Sequence, residues 1–340
     1  APLIMLTELL ASLPRARAVH AVSTGYAGLL GSLLKGYWQC PFILTEHGIY
    51  TKERKIDLAQ AAWVAGKSEE AEVSGLAASS GYIRTLWIRY FERAGLLAYQ
   101  NADPIISLYE GNRARQIRDG ADAALTQVIP NGIALSDWQR VRAQRGEGIA
   151  PVAGLIGRVV PIKDVKTFLR AVRSVVSEIP EFEAWIVGPE DEDPGYAQEC
   201  HSLVSSLGLT GQVHFLGFRN IREIMPQLGV MVLTSISEAQ PLVILEAWCA
   251  GTPVVSTDVG SCRELIEGVG EQDRALGTAG EVVPIADPQA TARAIQGLLQ
   301  NPERWHAAQR TGEQRVQERY SDELMFARYS RLYRDAMGEG

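Results

Sequence analysis

Four short segments of this 340-residue sequence carry side chains whose types and spacing could do chemistry. Gly157-Arg158-Val159-Val160-Pro161-Ile162-Lys163-Asp164 follows an apolar run directly. Its glycine allows a tight turn, and a planar guanidinium and an ammonium can then converge on a diphosphate. The competing reading is two solvated surface cations; the strand–glycine–helix context favours a site. Glu238-Ala239-Gln240-Pro241-Leu242-Val243-Ile244-Leu245-Glu246 puts one carboxylate in a loop and another in the second turn of the helix behind it. Pro241 suits the first turn of that helix and Gly251 its end. Two carboxylates on one cleft accept pairs of sugar hydroxyls, and the helix N-terminus offers N–H groups to a phosphate. Glu246, flanked by Leu245, Ala247 and Trp248, would be costly there without a partner.

The third segment is Thr45-Glu46-His47-Gly48 at the end of another apolar run. A lone histidine is often structural, but a strand end followed by glycine favours a site. The fourth is Ser23-Thr24-Gly25-Tyr26-Ala27-Gly28. Its small residues fit either close approach of a ligand to the backbone or tight helix packing. The sequence has no G-x-S-x-G elbow, no G-x-x-x-x-G-K-[ST] loop and no H-E-x-x-H. No D-x-D pair follows a strand to hold a metal, and Asp191-Glu192-Asp193 reads as a solvated turn in a Pro/Gly loop. Neither a metal nor a cofactor is expected.

These segments need a scaffold that presents strand ends. Candidate strands in the first half are Ala18–Ser23, Pro41–Thr45, Pro104–Leu108 and Gln127–Pro130. In the second half they are Val152–Gly157, Ala184–Gly188, Val213–Leu216, Val230–Leu233, Pro253–Ser256 and Glu281–Pro284. Strands alternating with helical patterns predict α/β architecture with parallel sheets, and ligands at the carboxyl ends of the strands. The length suits two domains. We expect a first Rossmann-like domain over 1–135, a polar, basic linker over 136–150, a second such domain over 151–315, and a C-terminal helix over 316–340 that could pack back on the first. The stretch Asp57 to Gln100 reads as mostly helical, with Tyr82, Trp87, Tyr90 and Phe91 as core. The first domain reads as incomplete, and residues are expected to precede Ala1.

Composition narrows the function. The formal net charge is −7, which argues against a nucleic-acid binder. Cys40, Cys200, Cys249 and Cys262 lack any paired or metal-ligand spacing, as free thiols in a reducing compartment would. No apolar run reaches bilayer length, and the first residues lack a signal-peptide pattern.

Taken in order, Gly157-Arg158…Lys163, Val187-Gly188-Pro189, Val213-x-Phe215-Leu216-Gly217, Glu238-x7-Glu246, Ala250-Gly251-Thr252-Pro253-Val254-Val255-Ser256 and Ile129-Pro130-Asn131-Gly132 resemble the pattern of glycosyltransferase family 4. HAVSTGYAGLLG, LTEHGIYTKERKIDL and LYEGNRARQIRDGA resemble the PelF-type exopolysaccharide glycosyltransferases. The resemblance implies a GT-B fold: two Rossmann-like domains facing a cleft. It implies a cytoplasmic, retaining, metal-independent hexosyltransferase that works on a saccharide acceptor in bacterial exopolysaccharide biosynthesis. The donor would be a UDP-sugar, UDP-glucose or a UDP-N-acetylhexosamine. Membrane-embedded polysaccharide synthase components would be partners at the inner membrane.

The resemblance also implies roles. Arg158 and Lys163 would hold the donor diphosphate, with Gly188, the turn Gln240-Pro241-Leu242 and the N–H groups of the helix that follows it beside the phosphates. Glu246 would take the ribose hydroxyls and Glu238 those of the transferred sugar. The base would rest near Phe218 and Arg219, and His47 would approach the sugar. Two features depart from the family. Gln240-Pro241 replaces Phe-Gly, which removes one N–H donor, and the glycine-rich loop that opens the first domain in relatives is absent from this sequence. Two other readings of the same residues are a UDP-sugar epimerase of GT-B fold and an inactive UDP-binding fragment.

Overall fold

The computed structural model describes residues 2–60 and 76–338. The chain forms two compact units, Ala1–Pro130 with Ala327–Gly340 and Asn131–Phe326.

The first unit is built on a parallel sheet of β1 (Val19–Ala21), β2 (Phe42–Glu46), β3 (Ile105–Ser107) and β4 (Thr126–Val128), in that order. Every residue of β2 and β3 is buried. Strands covered on both faces read as unbroken apolar runs rather than alternation, which is why they are visible in the sequence. Helices Tyr50–Gln60 and Leu76–Asn101 lie between β2 and β3; the intervening 61–75, part of the stretch read as helical, lie outside the described residues. Phe91 is buried and meets Tyr26, Tyr50, Trp87 and Tyr90 edge-on or stacked. Tyr82, expected in this core, is instead 64% exposed. The small-residue turn Thr24–Gly28 serves packing: a Cβ on Gly28 would stand 2.9 Å from the Ala98 Cβ, and one on Gly25 would meet the Tyr50 ring at 2.5 Å.

The second unit contains β5 (Val152–Ile156), β6 (Glu183–Val187), β7 (Val213–Gly217), β8 (Val230–Leu233), β9 (Val254–Thr257) and β10 (Gly280–Val283). All pair in parallel, in the order β10-β9-β8-β5-β6-β7. The chain therefore starts in the middle, at β5, moves out to β7, then returns to β8 on the other side. Three of its helices begin at an Asp or Asn followed by proline: Asp193 caps Tyr196 N, Asp287 caps Ala290 N and Asn301 caps Arg304 N. Such residues supply the missing acceptor for the first turn while proline fits the position that needs no donor.

Residues 136–150, expected as a linker, are part of this second unit. Trp138 and Val141 are buried in its core. Arg145 donates to the Thr252 hydroxyl at 2.9 Å and to the Leu228 carbonyl at 2.5 Å, and lies over the Trp305 ring. The basic composition suggested solvent, but here burial lowers the Arg145 pKa to about 10 and carbonyl and ring partners hold the charge. The last helix, Asp322–Met337, has its residues from Ala327 onward in the first unit. There Tyr329 meets the Thr45 hydroxyl at 3.1 Å and Tyr333 meets His20 Nδ1 at 2.7 Å.

Arg315 is fully buried on helix Pro302–Arg319. It pairs with Asp273 at 2.7 Å and donates to the carbonyls of Leu265, Ile266, Asp273 and Gly277. Removing one member of a buried pair typically costs about 3–5 kcal/mol, although Arg319, 3.3 Å from the same Asp273 oxygen, still faces that carboxylate when Arg315 is gone. Arg315→Met should therefore lower the melting temperature sharply, and adding Asp273→Asn should recover part of the loss. A single variant that melts like wild type would show the network to be dispensable.

Candidate functional site

The residues with chemical potential in the second unit gather where the strand order reverses, beyond the carboxyl ends of β5 and β8. In doubly wound sheets this is where the crossovers diverge and leave a crevice. The loops there are tied strand to strand. Gly157 N donates to Val187 O, Gly188 N to Gly217 O and Val159 N to Pro189 O, each at 2.9 Å. Gly188 has a φ of 153°, and a Cβ on it would overlap the Gly157 carbonyl. Only glycine lets β5 and β6 exit this close together.

Lys163 ends a short turn, Pro161–Lys163. Asp164, left-handed at φ 43°, caps helix Val165–Glu178 through Thr167 N. The Thr234 hydroxyl, just past β8, lies 3.0 Å from the carbonyls of both Lys163 and Asp164, and Ile236 N donates to Ile162 O at 2.8 Å. These bonds stitch the β5 loop to the β8 loop. The result is an ion pair: Lys163 Nζ donates to Glu238 Oε1 at 2.6 Å, and the Ser235 hydroxyl donates to the same oxygen at 2.7 Å. Both partners are mostly buried, with side chains 19% and 15% exposed. Glu238 Oε2 has no hydrogen-bond partner among the described residues and remains an open acceptor. Gly260, at φ 55°, lies against the carbonyls of Glu238 and Ala239, and Ser261 N donates to Ala239 O at 2.8 Å, which fixes this loop from behind.

Past the loop, Pro241 caps helix Leu242–Cys249 rather than occupying its first turn. The leading N–H groups of that helix have no partner within it. Gln240 is buried, and its side-chain oxygen accepts from Asn131 N at 2.8 Å, so its side chain braces the Pro130-Asn131-Gly132 turn. Glu246 is half-buried in the second turn and makes no hydrogen bond or ion pair with the described residues. Burial raises its pKa, and the only opposing influence is the charge of Arg222.

Other expected residues stand apart from the Lys163–Glu238 pair. Arg158 is held by both carboxylate oxygens of Glu192, each at 2.6 Å, in an exposed pair. The acidic turn around Glu192 is thus not merely solvated: Glu192 binds Arg158 and Asp193 caps a helix. Phe218, just past β7, is 86% exposed, and Arg219 donates to Leu216 O. His47 belongs to the first unit, where it is exposed after β2 and its carbonyl accepts from Asn112 Nδ2 at 3.1 Å.

Sequence reasoning missed the group beneath His47. Glu46 is fully buried and accepts from Thr24 Oγ1, Tyr50 N, Tyr99 Oη and Gln116 Nε2 at 2.8, 3.1, 2.6 and 3.2 Å. Burial nonetheless pushes its pKa up. Nearby, His20 is bracketed by the Thr45 and Tyr333 hydroxyls, and burial, aided by the His47 charge, lowers its pKa. The signals were available: a carboxylate in an otherwise buried strand, and a histidine alternating into β1.

Residues 150–301 match the family model described as "Glycosyl transferases group 1", and residues 1–124 match a domain of unknown function (DUF3492). The chain is 31% identical over 185 residues to the lipopolysaccharide core biosynthesis glycosyltransferase LpsE of Rhizobium meliloti, covering 54% of this chain and 49% of that one. It is 27% identical to the alpha-maltose-1-phosphate synthase of Mycolicibacterium smegmatis, covering 89% of this chain and 74% of that one. It thus spans about half the length of the first of these relatives. Among solved structures, it is similar to Anabaena HepE in complex with UDP, with a TM-score of 0.72 at 20% identity, covering 98% of this chain and 82% of that one. That likeness shows the fold, GT-B, with one parallel-sheet α/β domain of four strands and one of six.

The raised pKa of Glu246 carries a stability consequence. A carboxyl whose folded pKa lies above its unfolded value favours folding below the unfolded pKa, and that contribution is lost as pH rises through the folded pKa. Glu246→Gln should therefore melt higher than wild type at pH 7.5, with the difference closing as pH falls toward the ordinary glutamate range. A variant that melts lower at pH 7.5 would mean the carboxylate is stabilising where it stands.

Proposed function

We propose that this chain, whose residues 150–301 match the group 1 glycosyltransferase family, transfers a hexose from a UDP-sugar to a saccharide acceptor. The observation that carries this reading is the Lys163–Glu238 pair at the reversal point of the sheet, with the unpartnered Glu246 carboxylate on the helix behind it. A nucleotide sugar needs both kinds of group: cations for a diphosphate and carboxylates for hydroxyls. The HepE complexes with UDP and with UDP-glucose support a uridine donor.

In this reading Glu246 accepts from the ribose hydroxyls, which replace the water its burial has removed. Glu238 accepts a hydroxyl of the transferred sugar at its free Oε2 while Lys163 holds Oε1. As the sugar–phosphate bond breaks, charge builds on the departing UDP. Lys163, Arg158 and the N–H groups leading helix Leu242–Cys249 stabilise it, preorganised groups being worth most where charge develops. Arg158 must first leave Glu192. An exposed pair contributes only about 0–1 kcal/mol, so a diphosphate can take over that guanidinium at small cost. The exposed Phe218 ring offers a face for the base, with Arg219 beside it. Transfer proceeds with retention and without a metal ion. His47 acts on the sugar rather than on the nucleotide. The resemblance to PelF-type enzymes supports an acceptor that is a growing bacterial exopolysaccharide, built on the cytoplasmic face of the membrane with synthase partners there.

The test is calorimetry with UDP-, GDP- and ADP-sugars, then turnover of the tightest binder in EDTA with and without saccharide acceptors. Release of UDP that depends on acceptor supports transfer. Conversion of the donor to its epimer without acceptor, or UDP binding with no turnover, would replace this reading with one of the other two. Glu246→Ala should weaken UDP at least about tenfold, since hydrogen bonds to a charged group are worth roughly 1.5–3 kcal/mol. His47→Ala should leave UDP affinity within about twofold yet cut transfer by on the order of 10²-fold, as expected when a positioned group is lost. A His47→Ala protein with full specific activity and only a lower melting temperature would make the histidine structural.

A further inference from the structure

The first unit holds a cavity of about 420 Å³ to which the proposed transfer gives no role. Three helices form it: Tyr50–Gln60 brings Thr51 and Lys55, Leu76–Asn101 brings Arg89, Glu92 and Arg93, and Glu110–Arg118 brings Arg115, with Asp119 just past its end. Two of the four cations are already balanced. Lys55 pairs with Glu92 at 2.6 Å and Arg115 with Asp119 at 2.8 Å. Arg89 and Arg93 are not: one helical turn apart on the same face, they make no hydrogen bond or ion pair with the described residues. The cavity therefore carries two uncompensated positive charges in a protein whose net charge is −7.

Two like charges at this spacing on a helix repel each other, so nothing local favours their being together. What does favour it is a dianion. Guanidinium groups present planar forks of N–H donors that match phosphate oxygens in pairs, and two forks offer enough donors for the three oxygens of a monoester. The cavity is larger than a phosphate alone requires and has room for a sugar- or glycerol-sized body. Its floor is Tyr99, whose hydroxyl donates to Glu46 at 2.6 Å. The other oxygen of Glu46 holds Tyr50 N, and Thr51, also in the cavity wall, is the next residue. A ligand here touches the same carboxylate network that fixes the turn carrying His47.

We infer that this cavity is a binding site for a phosphate monoester, held by Arg89 and Arg93. The ester is either a soluble phosphorylated metabolite or the headgroup of a lipid; the recognised chemistry is the same. Glycerol 3-phosphate is the probe, titrated into the full chain by calorimetry at fixed ionic strength, with glycerol plus potassium chloride as the control. The expected result is saturable binding that strengthens between pH 5.5 and 7.5, because the second ionisation of a phosphomonoester falls near about pH 6. The double variant Arg89→Gln/Arg93→Gln should weaken it at least tenfold while leaving UDP affinity unchanged, since both residues are exposed surface positions of the other unit. Flotation with phosphatidate-containing vesicles then separates the sources. Capture that glycerol 3-phosphate competes away puts the phosphate on a lipid, and ester binding without capture puts it on a soluble molecule. No saturable binding of the ester, or binding that survives the double substitution, overturns the inference.

Discussion

The site depends on one topological constraint: the sheet of the second unit begins in its middle. Because β5 is laid down first and β8 is added on its far side, the connections leaving these two neighbours run in opposite directions. Such a divergence leaves a crevice at the carboxyl ends of the two strands. The Lys163–Glu238 pair proposed for donor binding follows from that crevice. The Gly157 loop leaves β5 and the Thr234–Glu238 loop leaves β8, and the Thr234 hydroxyl and Ile236 N bind one to the other. Lys163 and Glu238 meet only because those backbone bonds bring their loops together. Their ion pair is the consequence of the stitching and not its cause, since two mostly buried charges repay their desolvation only when geometry is already good.

That division explains what could be read from the sequence. Strand positions were legible in both units, because strands buried on both faces carry unbroken apolar runs: VMVL at β8 and FIL at the start of β2 announce themselves. The site segments were legible as strand ends followed by glycine. The partners were not. Arg158 binds Glu192 and Gln240 binds Asn131, contacts between residues 34 and 109 positions apart that no local pattern encodes. The linker expectation failed for a related reason. Arg145 looks like a solvent residue by type, yet it lies between the Leu228 carbonyl and the Trp305 ring, and a charge can be buried when acceptors and an aromatic face supply what water would. Tyr82 erred the other way, an aromatic that periodicity assigned to the core and that the fold leaves exposed.

The buried charges of the chain fall into two kinds, and the difference separates structure from function. Arg315 and Asp273 are saturated: five hydrogen bonds hold the guanidinium, and the carboxylate also accepts from Val269 N. A network so complete has no capacity left for a ligand. Glu246 is the opposite case, a half-buried carboxylate with its oxygens unclaimed and its pKa raised by burial. Keeping it costs stability at neutral pH, and a fold under no other demand would replace it with an apolar residue of the helix around it. Sites are where such local costs are tolerated.

Glu46 lies between these kinds. Four donors saturate both of its oxygens, which marks it as structural, yet desolvation still outweighs them and raises its pKa. The four donors come from the turn after β1, the first residue of helix Tyr50–Gln60, the end of helix Leu76–Asn101 and helix Glu110–Arg118. The carboxylate is thus the one point at which most of the elements of the first unit are joined. Its neighbour in sequence is His47, and helix Glu110–Arg118 also reaches that residue directly, through Asn112 Nδ2 on the His47 carbonyl. Networks of this sort behave as a unit, so loosening one donor weakens the others. The position of His47 is therefore set by packing on the far side of the sheet end as much as by the turn it occupies.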